Sequence, residues 1–287
     1  MNSNSSNENI VLIPVYNDWK SLNKLLLEIN NNFNHKNKLK ILIINDCSTD
    51  EIFLTNTKFD KIKEIKVLNL NKNLGSQKAI AIGLDYLKAL NQDFFITIMD
   101  GDGEDDPNEI NNLLLHAKND AEVIVTSHRK KRNESFFIQL CYFIHLVSCF
   151  FLTWNWVSFG NFSCFHSKNL NKINLYYVWY AFSTGILKSL KIKKLYAARK
   201  KRYFESSKVS FLNLMEHSLR INCVFYERII INSFIFFILI FIFSTKFNIF
   251  FYGSIIFLNL ILILIKFKNY PRNPIKCKYY LKNIKLI

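Results

Sequence analysis

Residues 94–107 read FFITIMDGDGEDDP, an apolar run that gives way at once to a group of carboxylates. The apolar part, Phe94–Met99, predicts a buried strand, and the pattern from Pro107 to Ala117 predicts a helix. Five of the seven residues between them are acidic. Carboxylates this close are tolerated if a divalent cation neutralises them or if all of them reach water. Oxygen ligands at the end of a strand favour Mg²⁺ or Mn²⁺ bridging a diphosphate, and a solvated acidic loop is the alternative.

Outward from this stretch, short apolar runs alternate with amphipathic stretches through the first 127 residues. The predicted strands are Ile10–Pro14, Leu39–Ile44, Ile65–Leu70, Phe94–Met99 and Val123–Ser127, and the predicted helices include Trp19–Ile29, Ser76–Leu90 and Pro107–Ala117. This alternation predicts an α/β domain with a Rossmann-like, mostly parallel sheet and flanking helices. Ligands of such sheets bind beyond the carboxyl ends of the strands.

Charge is divided unevenly along the chain. Residues 1–134 contain 19 acidic and 17 basic residues, a net charge of −2, whereas residues 135–287 contain three acidic and 21 basic residues, a net charge of +18. This asymmetry indicates that the second half faces an anionic partner, either nucleic acid or membrane phosphate. The basic residues lie beside long apolar runs and form no recognisable nucleic-acid-binding motif. We therefore expect a lipid bilayer as partner and no nucleic acid.

Two apolar runs in the second half, Ile229–Thr245 and Phe247–Ile265, contain 17 and 19 residues. A membrane-spanning helix needs about 20. Seven Lys or Arg residues and no acidic residue follow Ile265. The positive-inside rule then predicts a transmembrane hairpin with both termini in the cytoplasm, and a pair of buried soluble helices is the alternative. The aromatic stretch 136–157 predicts an interfacial helix, because a span there would separate the basic segment 191–208 from the α/β domain.

Several ordered motifs resemble glycosyltransferase family 2, whose members have the GT-A fold. Residues 13–18 (IPVYND) are similar to its first-strand signature, residues 44–50 (INDCSTD) to its second-strand turn, and residues 73–75 (NLG) to a third motif. Residues 100–107 resemble the Asp-x-Asp-x-Gln-Asp-Pro-Pro box of the dolichyl- and polyprenyl-phosphate sugar transferases. Residues 126–135 and 202–210 resemble two further segments of that branch, which includes dolichol-phosphate mannose synthase and bacterial polyprenyl-phosphate glucosyltransferases.

The resemblance implies a role for each matching residue. The implied nucleotide-sugar contacts are Pro14, Tyr16, Asp18, Ile44, Asp46, Asp100, Gly101, Asp102, Arg129, Arg202 and Lys208. Asp102 and Glu104 match metal ligands, and Arg132 and Ser135 match groups on the acceptor phosphate. Asp102, Arg129 and Arg202 are the implied catalytic residues. Arg129, Arg202 and Lys208 match groups that hold phosphates, a role suited to the fork of Arg and the point charge of Lys.

The sequence departs from the family pattern at several positions. Asn45 and Cys47 replace the usual Asp and Gly, so the turn after the second strand is expected to differ in shape. Glu104 stands where Gln is common, and Asp106 replaces the first Pro. Residues 161–164 (NFSC) replace an Asp-Phe-Arg-Leu segment, which puts the acceptor-side contacts in question.

The expected reaction is inverting transfer of a hexose from a UDP- or GDP-sugar to a polyprenyl phosphate. A sugar hydroxyl needs a carboxylate base, but a phosphate monoester, with a second pKa of about 6, is already ionised. No Asp or Glu occurs between Ser135 and Phe204, where such a base is expected. A family 2 enzyme that acts on a sugar hydroxyl, and a non-catalytic membrane-anchored module, are the alternatives. A homo-oligomer is left open.

These expectations divide the chain into four regions. Residues 1–134 form the nucleotide-sugar-binding core, and residues 135–228 form the acceptor-side, membrane-docking segment. Residues 229–265 form the transmembrane hairpin at the cytoplasmic membrane, and residues 266–287 form a basic cytoplasmic tail.

Overall fold

The structure is a computed structural model that describes residues 8–34, 38–54, 58–129, 136–197, 200–204, 211–243 and 249–287. It divides into two compact units. The first, which we call the α/β unit, comprises Met1–Arg132, Phe159–Ser207 and Asn273–Ile287. The second, the helical unit, comprises Asn133–Ser158 and Lys208–Arg272.

The α/β unit is built on one eight-stranded sheet in the order β7-β5-β6-β4-β1-β2-β3-β8. The strands are β1 Glu8–Val15, β2 Leu39–Asn45, β3 Ile62–Leu70, β4 Phe94–Ile98, β5 Ile124–Arg129, β6 Ser163–His166, β7 Ile192–Ala197 and β8 Leu281–Leu286. Only β6 and β8 run against the other six in this sheet. The mostly parallel α/β sheet predicted from the sequence is confirmed.

Helices cover both faces of this sheet. Those of the α/β unit are α1 Trp19–Asn32, α2 Ser76–Ala89, α3 Glu109–Asn119, α5 Leu175–Tyr180, α6 Phe182–Ser189 and α10 Cys277–Tyr280. Successive residues of β1 belong to opposite cores, with Leu12 in the core that contains α2 and Ile13 in the core that contains α1 and α3. A strand buried on both faces reads as a continuous apolar run, which is why β1, β2 and β4 were recognisable.

Three strands lie outside the core domain that the sequence predicted, which ended at residue 134. Strands β6 and β7 extend the sheet on one side, and β8 pairs antiparallel with β3 on the other. The region predicted as a basic cytoplasmic tail, residues 266–287, therefore contains a strand of the sheet at residues 281–286. Their side chains are nearly all exposed, so no apolar pattern marks β8, which is held by backbone hydrogen bonds.

The helical unit contains α4 Phe136–Thr153, α7 Phe211–Cys223, α8 Tyr226–Phe243 and α9 Ile249–Lys268. Within the described ranges, α9 is long and apolar enough to cross a membrane. Residues 212–223 and 226–242 pass the same test only together, as a pair bent by 85°. The two predicted apolar runs thus correspond to α8 and α9, but one of them, not both, qualifies as a span by itself.

Candidate active site at the carboxyl edge of the sheet

The loops after β1 and β2 are joined by hydrogen bonds centred on Asn17, which has a φ of 48°. The Asn17 side chain donates to Thr49 Oγ1 at 2.9 Å and accepts the Thr49 backbone N–H at 2.8 Å. The Asn17 backbone N–H donates to Ser48 Oγ at 3.0 Å. The two loops therefore form one preorganised surface beyond the ends of adjacent strands.

The residues implied to contact the nucleotide differ in how accessible they are. Pro14 and Ile44 are register partners on β1 and β2 and are buried within the sheet. Tyr16, directly after β1, is 47% exposed, so its ring is available to stack on a base. The Asp18 carboxylate caps α1 by accepting the Ser21 N–H at 3.4 Å, which is a structural role that the motif did not reveal.

Asp46 is buried at the end of β2, where only 2% of the residue is exposed. Its carboxylate accepts the backbone N–H groups of Leu74 at 2.8 Å and Gly75 at 2.7 Å. Burial raises the pKa of Asp46 to about 6, although these two hydrogen bonds and the nearby Lys78 act in the opposite direction. Asp46 thus fixes the loop that leads into α2, besides any contact with a base.

The two unusual residues beside Asp46 keep the turn in a defined shape. Cys47 has a φ of 60°, in the left-handed region that glycine adopts without strain. Asn45 accepts the Ser48 N–H at 2.9 Å and donates to Asn69 Oδ1 at 2.7 Å. Asn69 donates in turn to Asn283 of β8 at 2.6 Å. The expectation that this turn differs in shape from that of the family stays a prediction.

The acidic loop follows β4, as predicted, and is folded on itself. The Asp100 backbone N–H donates to the Asp105 carboxylate, and the Glu104 N–H donates to Asp102 Oδ1, both at 3.0 Å. Gly101 packs against β1, since a Cβ there would lie 3.3 Å from two of its methyl groups. These contacts direct the carboxylates toward the carboxyl edge of the sheet.

Residues 200–204 lie along the acidic loop. The Tyr203 N–H donates to the Asp102 carbonyl at 3.2 Å, and the Lys200 N–H donates to the Glu104 carbonyl at 2.9 Å. Gly103, with a φ of +84°, leaves room for the Tyr203 ring, because a Cβ there would lie 2.2 Å from it. Any larger residue at position 103 would push this segment away.

Side chains of the same segment neutralise the acidic loop. Arg202 donates to Asp102 Oδ2 from Nε at 3.0 Å and from a terminal nitrogen at 2.7 Å. Lys200 lies 3.0 Å from Asp106 and 3.3 Å from Glu28. Two residues implied to be catalytic, Arg202 and Asp102, are therefore in direct contact although 100 positions separate them.

The carboxylates of Asp102 and Glu104 have the hard-oxygen chemistry that a divalent cation prefers. In the arrangement seen here Asp102 Oδ2 is taken by Arg202, and no group of three metal-ligating side chains is found among the described residues. The ligand chemistry therefore fits a cation, although Arg202 competes with it for one of the two Asp102 oxygens.

A chain of amide groups reaches Asp100 from the other side. The Phe182 backbone N–H donates to Gln77 Oε1 at 2.7 Å, so Gln77 Nε2 is directed at Asn161 Oδ1, 3.1 Å away. Asn161 Nδ2 in turn donates to Asp100 Oδ1 at 3.0 Å. Because an N–H can only donate, the orientation of both amides is fixed, and a donor faces the Asp100 carboxylate.

The comparisons with known proteins agree with this geometry. A model of glycosyl transferase family 2 matches residues 10–190. The chain belongs to this family. The uncharacterized glycosyltransferase YkcC of Bacillus subtilis (strain 168) is 28% identical over 131 residues, which are 44% of this chain and 39% of that protein. The uncharacterized glycosyltransferase sll0501 of Synechocystis sp. is 26% identical over 129 residues, with the same coverage. The chain thus matches 39% of the length of each relative.

Among solved structures, mannosyl-3-phosphoglycerate synthase from Rubrobacter xylanophilus has a TM-score of 0.50 with this chain. The two are 12% identical, and the match covers 79% of this chain and 75% of that chain. At this level of identity the likeness shows a common fold and nothing about the substrate.

The remaining family 2 positions can be placed only in part. Arg129 ends β5, and its side chain lies outside the described part of the structure, as do Arg132, Ser135 and Lys208 altogether. His128, just before it, is buried and lies 3.1 Å from Thr126 Oγ1. Burial lowers the pKa of His128 to about 4, so the ring is neutral near pH 7.

Three residues of the site were not identified from the sequence. Asn17 lies inside the first motif, and its turn-forming residue type was an available signal. Asn161 had been noticed only as a departure from the family pattern. Gln77 gave no signal, because a polar residue in the first turn of a helix is ordinary and its partners lie 84 and 105 positions away.

Proposed function

We propose that this family 2 chain transfers a hexose from a UDP- or GDP-sugar to a polyprenyl phosphate, of undecaprenyl or dolichyl type, with inversion at the anomeric carbon. The observation that carries the proposal is the pairing of Arg202 with Asp102 beyond β4. It puts a phosphate-binding cation beside the acidic loop, at the edge of the sheet where ligands of α/β folds bind.

The donor is proposed to lie over the loops after β1, β2 and β4. Tyr16 stacks on the base, and Asp100, held in one orientation by Asn161, accepts from the ribose. A Mg²⁺ or Mn²⁺ ion held by Asp102 and Glu104 would neutralise the diphosphate. Arg202, released from Asp102, together with Arg129 and Lys208, then stabilises the charge that develops on the leaving group.

The acceptor is proposed to be a phosphate because the two carboxylates of the acidic loop best placed to act as a base, among the described residues, already have partners. An oxygen of the lipid phosphate attacks the anomeric carbon, the bond from that carbon to the donor diphosphate breaks, and a nucleoside diphosphate leaves. Asp105 accepts the Asp100 N–H, and Asp106 pairs with Lys200. These contacts lower the basicity available for deprotonating a sugar hydroxyl, which a phosphate acceptor does not require. Arg132 and Ser135 are proposed to bind the acceptor phosphate.

The connectivity of the α/β unit restricts how the chain can cross a membrane. Strands β5 and β6 pair in one sheet, so α4 between them cannot cross once, which supports its interpretation as an interfacial helix. Strand β8 returns to the same sheet after α9. If α9 spans, a second crossing must precede it, and α8 is the candidate. We propose a cytoplasmic catalytic unit on the inner membrane, with homo-oligomerisation left open.

The test compares acceptors in reconstituted membranes. Polyprenyl phosphate is offered against the matching polyprenol, with a panel of UDP- and GDP-sugars, and product is read by mass spectrometry. We expect transfer to the phosphate alone, with a β-linked product from an α-linked donor. Equal transfer to the polyprenol or to a free oligosaccharide would establish the hydroxyl-acceptor alternative instead.

Variants of the charged groups test the donor side. Arg202→Ala should slow turnover at least tenfold, since one electrostatic stabiliser is worth about 2–4 kcal/mol of barrier. Lys285→Ala, an exposed residue of β8, is the matched control and should change little. Asp102→Asn should abolish transfer while the unit stays folded. Activity that survives both this change and EDTA would remove the cation from the proposal.

A further inference from the structure

Helices α8 and α9 form an antiparallel pair with one charged end. The Phe237 and Tyr252 rings are 5.0 Å apart, Asn259 donates to Ser233 at 2.8 Å, and Lys266 Nζ lies 4.8 Å from the centre of the Tyr226 ring. In each pair the two residue numbers add to nearly the same value, as antiparallel pairing requires. The start of α8 and the end of α9 are therefore at one level of the helical unit.

Helix α7 meets the pair at this same level. It is bent by 85° relative to α8, and its Glu216 accepts from Lys268 Nζ at 2.8 Å. An amphipathic helix that lies across the ends of apolar helices is typical of the plane of a membrane interface. The other end of α9 begins with Ile249 and Phe250, which are exposed and uncharged.

The end of α4 also reaches this level. Arg228 donates to the Thr153 carbonyl at 3.2 Å, and Asn232 donates to the carbonyls of Phe151 and Leu152. The residues that follow include Trp154, which is 57% exposed, and Trp156, which is 45% exposed. Tryptophans gather at the headgroup level of membrane proteins because their rings are apolar with one polar group.

Arg220 on α7 is half-buried, and one of its guanidinium nitrogens lacks a hydrogen-bond partner among the described residues. Its Nε is buried and has no hydrogen-bond partner in the described structure, and a terminal nitrogen lies 3.5 Å from His217 Nδ1. Glu216, one turn earlier, is already hydrogen-bonded to Lys268 and Asn269. The Glu216 charge still acts on Arg220, but its oxygens are hydrogen-bonded to Lys268 and Asn269, so the buried Nε of Arg220 remains to bind a second anion.

We propose that Trp154, Trp156, Arg220, Arg228, Lys266 and Lys268 form a headgroup belt, in which Arg220 binds the phosphate of an anionic phospholipid. From the belt, the 18 residues of α8 extend about 27 Å, close to the thickness of a bilayer's hydrocarbon core of about 30 Å. The headgroup belt rests on the membrane attachment that is part of the proposed function, and it specifies which lipid the helical unit contacts. The belt does not depend on which acceptor is used or on whether sugar is transferred.

The experiment uses quenching of tryptophan fluorescence by brominated lipids in vesicles that contain the full chain. Of the four tryptophans, Trp19 and Trp179 are buried in the α/β unit, so quenching reports Trp154 and Trp156. We expect brominated phosphatidylglycerol to quench more strongly than brominated phosphatidylcholine. Bromines near the headgroup should quench more than bromines at the chain end, and Trp154→Phe with Trp156→Phe should remove the effect.

Arg220→Gln should lower the preference for phosphatidylglycerol about fivefold, the effect of one basic residue at an anionic surface. Lys285→Gln removes the same charge from β8 and should leave the preference unchanged. Arg220→Lys keeps the charge and should retain most of the preference, so it provides a test if Arg220→Gln fails to insert into the vesicle membrane. An unchanged preference in Arg220→Gln, or an equal loss in Lys285→Gln, would overturn the proposal.

Two further arms separate related outcomes. Loss of the preference in the presence of inorganic phosphate would show that Arg220 binds a free anion rather than a lipid. Stronger quenching from the chain end would show that the belt is not at the headgroups. The Asp102→Asn variant should keep the lipid preference, so a failure of the proposed transfer reaction is distinguishable from a failure of the belt.

Discussion

Cys47 illustrates at the scale of one residue how a residue other than glycine is held in a left-handed turn. Its φ of 60° places a Cβ in the left-handed region, which costs about 1–2 kcal/mol for a residue other than glycine. Two hydrogen bonds of Ser48 hold the turn in place: its hydroxyl accepts the Asn17 N–H, and its own N–H donates to Asn45 Oδ1. These contacts offset the strain at Cys47.

We expect Cys47→Gly to raise the free energy of unfolding by about 0.5–1 kcal/mol. Relief of the left-handed strain exceeds the extra chain entropy that glycine loses on folding. The measurement is the thermal midpoint of the α/β unit, followed by the fluorescence of Trp19 and Trp179. Cys47→Ala keeps a Cβ and should not stabilise; an equal gain from Ala would assign the effect to the thiol rather than to the backbone.

At the scale of elements, the acidic loop is held between two groups that come from distant parts of the chain. Segment 200–204 lies along one side through backbone pairs and the Arg202–Asp102 contact. The amide chain of Gln77 and Asn161 reaches Asp100 on the other. The loop is thus held in position by its surroundings, although its own sequence is rich in glycine and repelling charges.

Asn161→Asp should weaken binding of UDP or GDP at least tenfold. The change keeps the side-chain shape but replaces the N–H that donates to Asp100 with a carboxylate oxygen, so two negative charges face each other. The Gln77 amide cannot turn to compensate, because the Phe182 N–H fixes its orientation. Binding is measured by calorimetry. Asn112 is exposed on the surface of α3, so Asn112→Asp removes an amide in the same way and serves as the control. If nucleotide affinity were unchanged while only the thermal midpoint fell, Asn161 would be structural alone.

At the scale of the whole molecule, the chain leaves the α/β unit twice and returns to it twice. The helical unit is therefore made of two excursions, one containing α4 and one containing α7, α8 and α9. The strongly basic second half described from the sequence is shared between the units, since β7 and β8 belong to the sheet. Charge alone thus does not mark the boundary between the units.

Because β1 and β8 belong to one sheet, both ends of the chain must lie on the same side of any membrane. We expect a C-terminal reporter that is active only in the cytoplasm to be active, and an N-terminal one to behave alike. The same reporter inserted between residues 244 and 248 should be inactive, and a reporter that works only on the outer face should be active at that position. A silent cytoplasmic reporter at the C-terminus, together with activity there of a reporter that works only on the outer face, would exclude the two-span arrangement.

The sequence by itself determined the features that depend on local pattern. The alternation of apolar runs and helical stretches predicted β1 to β5 and α1 to α3, and the position of Asp100–Asp106 after an apolar run predicted an acidic loop at a strand end. The motifs identified the family that the later comparison confirmed. Each of these signals is contained in a short stretch of sequence, because buried strands and amphipathic helices impose their periodicity on neighbouring residues.

Only the tertiary structure decided which distant groups meet. The Arg202–Asp102 pair joins residues 100 positions apart, and the Asn69–Asn283 hydrogen bond joins residues 214 apart. Strand β8 (LKNIKL) is almost wholly exposed and does not alternate apolar with polar residues, and β6 has only four residues, so neither carries the pattern that marks a strand. Their positions depend on backbone hydrogen bonds to a sheet that must already exist. A contact of that kind leaves no periodic trace in the sequence, because its energy comes from a partner that folding brings into place.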